Sequence, residues 1–208
     1  MTTAFTALHG HEYVRNMSNL AAPIDFRDNG LLTLWARQEY FPVDLVVDTY
    51  GNMPSWLLQT SFKWLRPTTE ARSYWTLWER LDQTEKLEDF IALSHWADDN
   101  VSVPGETYRK FVRECYQDNR LVRNTMQING RLVNLGDIRC SLLNVVASQD
   151  HICPPQSAAA LESKVSSADV TALTIPGGHV GAIVGRSATD VFWPRLSDWL
   201  NKRSGEIE

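Results

Sequence analysis

Apolar and polar positions divide the chain into two kinds of pattern. Near the start and over the last third, apolar residues fall in short runs. Ser141 to Ala147 (SLLNVVA) is apolar and partly β-branched, the composition of a strand covered on both faces of a parallel sheet. Val170 to Ile175 reads as a second strand, and Tyr13 to Ala22 as a turn into a third, ended by Pro23. Three parallel strands are therefore expected, near residues 16–22, 141–147 and 169–175. Met1 to His9 is helix-compatible, with Ala4, Phe5 and Leu8 on one face. Ser157 to Val165 reads as the crossover helix between the last two strands. A final helix is expected from near Ser187, its apolar face carrying Val191, Phe192, Trp193, Leu196, Trp199 and Leu200. Lys202 and Arg203 complement its C-terminal dipole, and residues 204–208 read as a frayed end.

From about Arg27 to Val133 the pattern becomes helical. Amphipathic stretches run over Leu31–Glu39, Pro42–Thr49, Ser55–Leu65, Ala71–Leu81, Lys86–Trp96 and Gly105–Gln117. Turn signals at Gly51-Asn52-Met53-Pro54, Arg66-Pro67 and Val103-Pro104-Gly105 separate them, and Asp82 to Glu85 is a polar break. Asn129-Gly130 marks a hairpin. The expected architecture is α/β: a sheet core from residues 1–30 and 129–208, with 31–128 inserted as a helical cap. Such a cap either gates a site or only packs.

Composition narrows the class. With 208 residues, 43% hydrophobic and 22% charged, the chain suits one domain with an insertion. A net charge of −5 without a basic stripe argues against nucleic acid as a partner. No apolar run approaches the roughly 20 residues of a membrane span, and residues 1–20 lack the apolar core of a signal peptide. A soluble, cytoplasmic protein is the expectation. Cys115, Cys140 and Cys153 lack metal spacing and read as reduced thiols. No metal site and no cofactor are expected.

Candidate chemistry lies at two strand ends. Ile175-Pro176-Gly177-Gly178-His179-Val180-Gly181 sets an imidazole in a Gly-rich turn after a strand, a place suited to a general base. An ordinary turn histidine is the plain alternative. The preceding strand runs into Ser148-Gln149-Asp150-His151-Ile152-Cys153-Pro154-Pro155, so Asp150 ends one strand and His179 the next. Groups at the carboxyl ends of adjacent parallel strands converge over one crevice. In the α/β-hydrolase fold a triad's acid and histidine come from such successive loops, in that order. His151 reads either as an assisting hydrogen-bonding group or as a loop residue. Cys153 reads as a stand-in nucleophile or as a buried thiol. Trp96 and Asp98 approach the crevice or belong to the packing and solvated edge of the cap. His9, His11 and His95 read as surface or packing residues.

Several stretches together resemble polyhydroxyalkanoate synthases, most closely the catalytic subunit of the two-subunit type. They are Asn19–Phe26 (NLAAPIDF), Val47–Pro54 (VDTYGNMP), Trp96 followed by Pro104–Tyr108 (PGETY), Ser148–Pro155, Pro176–Gly181, and Trp193-Pro194 with Trp199-Leu200. The resemblance covers nearly the whole chain. It implies an α/β-hydrolase fold and an acyltransferase that polymerises 3-hydroxyacyl-CoA into polyester with release of CoA. It gives His179 the base position and Asp150 the acid position. The family's nucleophile is a cysteine in a G-x-C-x-G elbow, and neither G-x-C-x-G nor G-x-S-x-G occurs in this sequence. The resemblance places that elbow just before the helix matched by Met1–His9, so the chain reads as a C-terminal portion that is not a competent polymerase alone. It further implies acyl-CoA as substrate rather than a bound cofactor, a second synthase subunit or a second copy as partner, and residence at polyester granules. The alternatives are another α/β-hydrolase of esterase or thioesterase type, or a non-catalytic chain that binds granules or a synthase subunit.

Overall fold

The computed structural model describes residues 1–27, 30–79, 83–186 and 188–204. The expected helix end at Leu81, the break at Asp82, the helix start at Ser187 and the frayed residues 205–208 lie outside the described residues. Of the rest, those within Met1–Arg37 and Arg113–Glu208 form one compact unit, and Gln38–Val112 form a second.

The first unit is built on a parallel sheet of β1 (Asn16–Leu20), β4 (Ser141–Ala147) and β5 (Val170–Ile175), in the order β1-β4-β5. Asn16 pairs with Ser141 and Leu20 with Val145 on one side of β4; Leu142 pairs with Val170 and Ala147 with Ile175 on the other. The central strand is buried from Leu142 to Ala147, as a strand covered on both faces must be. Asn144 sits fully buried in that apolar run. Its Oδ1 accepts from Asn19 Nδ2 on the neighbouring strand at 2.8 Å, and its own Nδ2 donates to Glu162 Oε1 (2.8 Å) and Ala158 O (3.1 Å). Asn19 and Asn144 are register partners, so this buried amide pair opposes a slip of β1 along β4.

Helix α1 spans Thr2–Tyr13, longer than the sequence pattern indicates. Its buried face carries Thr3, Ala4, Thr6, Ala7, Leu8 and Gly10. Phe5 does not join that face: it is 49% exposed, and its ring lies 5.2 Å from His9 and 6.5 Å from Tyr13. Small side chains let the helix lie close to its neighbours, and the i, i+4, i+8 aromatics stack on the outer surface. A hairpin of β2 (Gln127–Ile128) and β3 (Arg131–Leu132) turns through Asn129 and Gly130, both at positive φ (51° and 75°). Between β4 and β5, α8 (Pro155–Ala159) starts earlier and ends sooner than expected, because Pro155 presets the first helical turn. After α9 (Gly181–Val184), a π-helical turn over Ala188–Phe192 leads into α10 (Trp193–Asn201). Phe192 and Trp199 are buried, whereas Trp193 and Leu200 of the expected apolar face are exposed. The Trp199 indole N–H donates to Thr171 Oγ1 at 3.0 Å. Arg203 stacks over that indole at 4.5 Å and forks both oxygens of Asp169 at 2.5 and 2.7 Å. The hydrogen-bonded guanidinium holds the Asp169 carboxyl at about 2.

The second unit contains α3 (Val43–Tyr50), α4 (Ser55–Leu65), α5 (Pro67–Trp78), α6 (Thr84–Asp98) and α7 (Gly105–Phe111). It is narrower than the cap read from the helical pattern over 31–128. Helix α2 (Gly30–Trp35) and residues from Arg113 onward group with the sheet. Non-local contacts explain this: Tyr116 packs edge-on against Phe26 at 4.8 Å, Gln117 Nε2 donates to Ala36 O at 3.0 Å, and Thr33 Oγ1 donates to Phe26 O at 2.7 Å. Within the second unit, α3 and α7 form the tightest pair. Val43, Val47 and Val112 are buried there with Phe41 and Tyr108 against them. Burial pushes the Tyr108 phenol up to about 12. Arg109 bonds Asp44, Asp48 (2.6 Å) and Glu106 (3.2 Å), and Met53 and Val103 exchange backbone hydrogen bonds at 2.9 and 3.0 Å. A Cβ at Gly105 would lie 1.8 Å from Gly51 O and 2.7 Å from Val47 Cγ1. Gly105→Ala must therefore separate the two backbones, at a cost of about 2–3 kcal/mol. Hydrogen exchange checks this: amides of α3 and α7 should exchange faster in the variant while those of β4 keep their protection.

Candidate active site

Because β4 and β5 are parallel, their following loops emerge at the same end of the sheet. Two backbone bonds carry the pairing past the strands: Ser148 N–H to Ile175 O and Gln149 N–H to Gly177 O, both 2.9 Å. The Asp150 N–H then folds back on Ala147 O at 3.2 Å, and the chain turns out of the sheet. Opposite, Gly177 takes φ 121°, a conformation that favours glycine, and the Ala182 N–H closes on Gly178 O at 2.9 Å to start α9. His179 is thus held in a tight strand-to-helix turn directly across from Asp150.

The two side chains meet. His179 Nδ1 lies 2.7 Å from Asp150 Oδ2. Asp150 Oδ1 accepts from the backbone N–H of Ile152 and of Cys153, both at 2.9 Å. The carboxylate is fully shielded from solvent, whereas the His179 side chain is one-third exposed. Burial alone would raise the Asp150 pKa. The hydrogen bond from His179, those from the two amides and the nearby imidazole charge outweigh it and hold the carboxyl below its ordinary value. An ionised carboxylate only accepts, so Nδ1 carries the proton and donates to Oδ2. Whenever the ring is neutral, Nε2 is left with a lone pair, and it makes no hydrogen bond among the described residues. Such an arrangement can take a proton at Nε2 while Asp150 stabilises the imidazolium that forms.

The acid loop is braced from the other side by the loop that follows β1. Ser157 Oγ donates to Asp25 O at 2.6 Å, and Ser157 O accepts from the N–H groups of Ile24 and Asp25 at 3.2 and 3.3 Å. Asp25 in turn bonds Arg27 (2.7 Å) and Asn119 (2.8 Å), and the Arg27 guanidinium beside it brings its carboxyl down to about 2. This brace and the two amides on Asp150 were not read from the sequence. A signal is present: Asp150 begins an Asx-type turn three residues before Cys153-Pro154.

The other candidates are buried thiols, sit on other elements of the first unit or belong to the second unit. Cys153 is 2% exposed, and burial followed by the Asp150 charge pushes its thiol up to about 12. A nucleophilic thiol needs the opposite environment. Burial also raises the Cys140 thiol, and Cys115 is buried in the core beneath α1. His151 is half-buried on the acid loop, His9 lies in the aromatic stack on α1, and His95 is exposed on α6. Trp96 and Asp98 belong to the second unit, where both are exposed. Among the described residues there is no group of three or more His, Cys, Asp or Glu side chains placed to hold a metal ion, and no helix is long and apolar enough to cross a membrane.

Comparison with known proteins gives a consistent result. Residues 46–204 match the family described as PHB de-polymerase C-terminus. The chain is 36% identical over 201 residues to the poly(3-hydroxyalkanoate) polymerase subunit PhaC of Allochromatium vinosum, covering 96% of this chain and 56% of that protein. It is 32% identical over 206 residues to the PhaC subunit of Haloferax mediterranei, covering 98% and 42% respectively. The chain therefore spans about half the length of these relatives. Among solved structures it resembles the monoacylglycerol lipase of Paleococcus ferrophilus (TM-score 0.56, 13% identity, 98% of this chain and 65% of that one). It likewise resembles Rv0554 of Mycobacterium tuberculosis (TM-score 0.54, 15% identity, 98% and 62%). The fold is that of the α/β-hydrolases.

Proposed function

The chain belongs to the PHB de-polymerase C-terminus family, and from that premise we propose that it supplies the general base, His179, and its carboxylate partner, Asp150, to a poly(3-hydroxyalkanoate) synthase. The observation that carries this reading is the 2.7 Å contact between a solvent-shielded carboxylate and a partly exposed imidazole at adjacent strand ends. In this reading the nucleophile is a cysteine thiol in a G-x-C-x-G elbow, a motif this sequence does not contain, and burial raises the chain's own Cys153 and Cys140 thiols, the opposite of what a nucleophile needs.

The chemistry follows from the pair. Nε2 of His179 takes the thiol proton, and the thiolate attacks the thioester carbonyl of a 3-hydroxyacyl-CoA. The carbon–sulfur bond to CoA breaks, and CoA leaves as a thiol with the proton returned from the imidazolium. In the second half, Nε2 takes the proton of a 3-hydroxyl group, whose oxygen attacks the enzyme-bound thioester. An ester bond forms and the elbow thiol is regenerated. Asp150 keeps Nδ1 protonated throughout and balances the charge on the ring in each half. The substrate is an acyl-CoA, the product a polyester, and the work takes place at the polymer surface together with a second synthase subunit or a second copy.

Reconstitution tests the reading. The chain alone, given 3-hydroxybutyryl-CoA, should release no CoA beyond background. Mixed with the separately expressed part of the Allochromatium vinosum relative that this chain does not match, it should release CoA and form polymer. Sustained CoA release by the chain alone sinks the division of labour. Release of free acid without polymer in the mixture favours an esterase or thioesterase instead.

A further inference from the structure

Between β4 and β5 the crossover helix departs from a regular helix at Ser157. In an α-helix the Ser157 carbonyl would accept from the Leu161 N–H. Here the Leu161 N–H closes on Ala158 O instead, at 3.3 Å, and α8 ends at Ala159. The released carbonyl accepts from the Ile24 and Asp25 N–H groups on the loop after β1. The hydroxyl also turns away from the helix. A helical serine commonly bonds back to a carbonyl of the preceding turn, whereas Ser157 Oγ donates at 2.6 Å to Asp25 O, 132 residues away. The Ser157 N–H donates to Pro154 O at 2.8 Å, so all three polar groups of a residue that is 1% exposed are engaged. The anchor is itself fixed. Asn119, in a left-handed conformation at φ 50°, donates to Asp25 Oδ1 at 2.8 Å and accepts from the Phe26 N–H at 2.9 Å.

We propose that Ser157 is a positioning residue for the Asp150–His179 pair, tying the acid loop to the loop after β1. Two features carry this. The first is a path of bonds. Ser157 is also hydrogen-bonded to the Cys153 side chain. Its one hydroxyl proton is committed to Asp25 O, so toward Cys153 the serine oxygen accepts and the thiol S–H donates. The same Cys153 gives its backbone N–H to Asp150 Oδ1 at 2.9 Å. A single residue therefore links the serine to the carboxylate. The second feature is that the loop is held at both ends. Ser148 and Gln149 pin its start to Ile175 and Gly177, and Ser157 pins its far end to Asp25. Released at the far end, the turn that carries Asp150 would pivot on the strand, and Oδ2 would leave its place 2.7 Å from Nδ1. The effect on turnover rests on the synthase reading, whereas the hold on Asp150 does not.

Nitrogen-resolved proton NMR of the whole chain reads the hold without any turnover. The His179 Nδ1 proton, assigned by its absence in His179→Ala, should exchange with water about tenfold faster in Ser157→Ala. Thr171→Val controls for lost stability: it deletes the bond from the Trp199 indole on the same sheet and should leave that proton unchanged. Cys153→Ala keeps Ser157 on Asp25 and removes only the thiol, so exchange should quicken by a smaller factor, and Cys153→Ser, which restores a donor, should reverse it. In the reconstituted assembly Ser157→Ala should lower kcat for CoA release by about 10- to 100-fold, the scale of a small misplacement, with KM nearly unchanged. Unchanged exchange in Ser157→Ala, an equal change in Thr171→Val, or a loss confined to KM overturns the proposal. If Ser157→Ala does not fold, the Cys153 variants decide: exchange unchanged in Cys153→Ala, or not restored in Cys153→Ser, overturns it equally. An assembly that releases no CoA in any form strikes the synthase reading alone, because proton exchange is read on the chain itself.

Discussion

In the reconstituted assembly, His179→Ala lowers CoA release by about 10⁴-fold or more, the usual scale when the base of a nucleophile–base unit is removed. The structure says why no neighbour rescues it. His179 presents its Nε2 from a turn fixed by Gly177 at φ 121° and by the Ala182 N–H to Gly178 O bond. No second imidazole shares that turn. The loss should appear in the rate of CoA release, beside a stability cost of about 1–3 kcal/mol from leaving the solvent-shielded Asp150 carboxylate without its His179 hydrogen bond. Stopped-flow measurement of the first CoA released isolates the step in which the thiol is deprotonated. A variant that keeps more than a tenth of that rate contradicts the assignment of His179 as base.

Asp150→Asn is expected to cost about 10³- to 10⁴-fold by a different route. The side-chain oxygen of the new amide remains tied to the Ile152 and Cys153 N–H groups, so its NH₂ must occupy the place of Oδ2. That NH₂ faces Nδ1 and donates to it. The imidazole then carries its proton on Nε2, where a donor sits in place of the acceptor that the reaction needs. Nitrogen-resolved NMR of the ring should show the exchange of tautomers, an outcome that simple loosening of the loop does not produce. The pH dependence of stability adds a second signature. The Asp150 carboxyl is depressed in the folded protein, so its contribution is present above the unfolded carboxylate value of about 4. It is lost as pH falls through the lower folded value. Unfolding curves for the parent chain and the Asn variant should therefore converge toward acid and separate toward neutrality.

Much of the sheet is legible in the chain. SLLNVVA is a strand by composition, and β4 spans those residues, as β5 spans Val170–Ile175. The loops after these strands announce a carboxylate and an imidazole, and two parallel neighbours leave them little choice but to approach. The Asn129-Gly130 turn and the helix over Ser55–Leu65 are equally local facts. These readings succeed because strand period, turn chemistry and crossover handedness are set within a few residues.

What the tertiary structure decides is which surfaces find a partner. Phe5 looks like a core residue in an apolar run, yet it faces outward because Ala4, Ala7 and Gly10 allow closer packing. Asn144 looks misplaced in a buried strand until Asn19 and Glu162 come beside it from 125 and 18 residues away. Apolar spacing on α4–α6 predicts burial, but a helix period says only that one face is apolar and not what covers it. The line between the two units follows the same logic: residues 113–128 are helical or irregular by sequence but join the sheet through Tyr116, Gln117 and Asn119. The chain by itself determines the strands and sets a carboxylate and an imidazole at the ends of two of them, because those depend on local geometry. Burial, buried polar pairing and the ionisation of Asp150 depend on atoms distant in sequence, and only the folded molecule brings those atoms together.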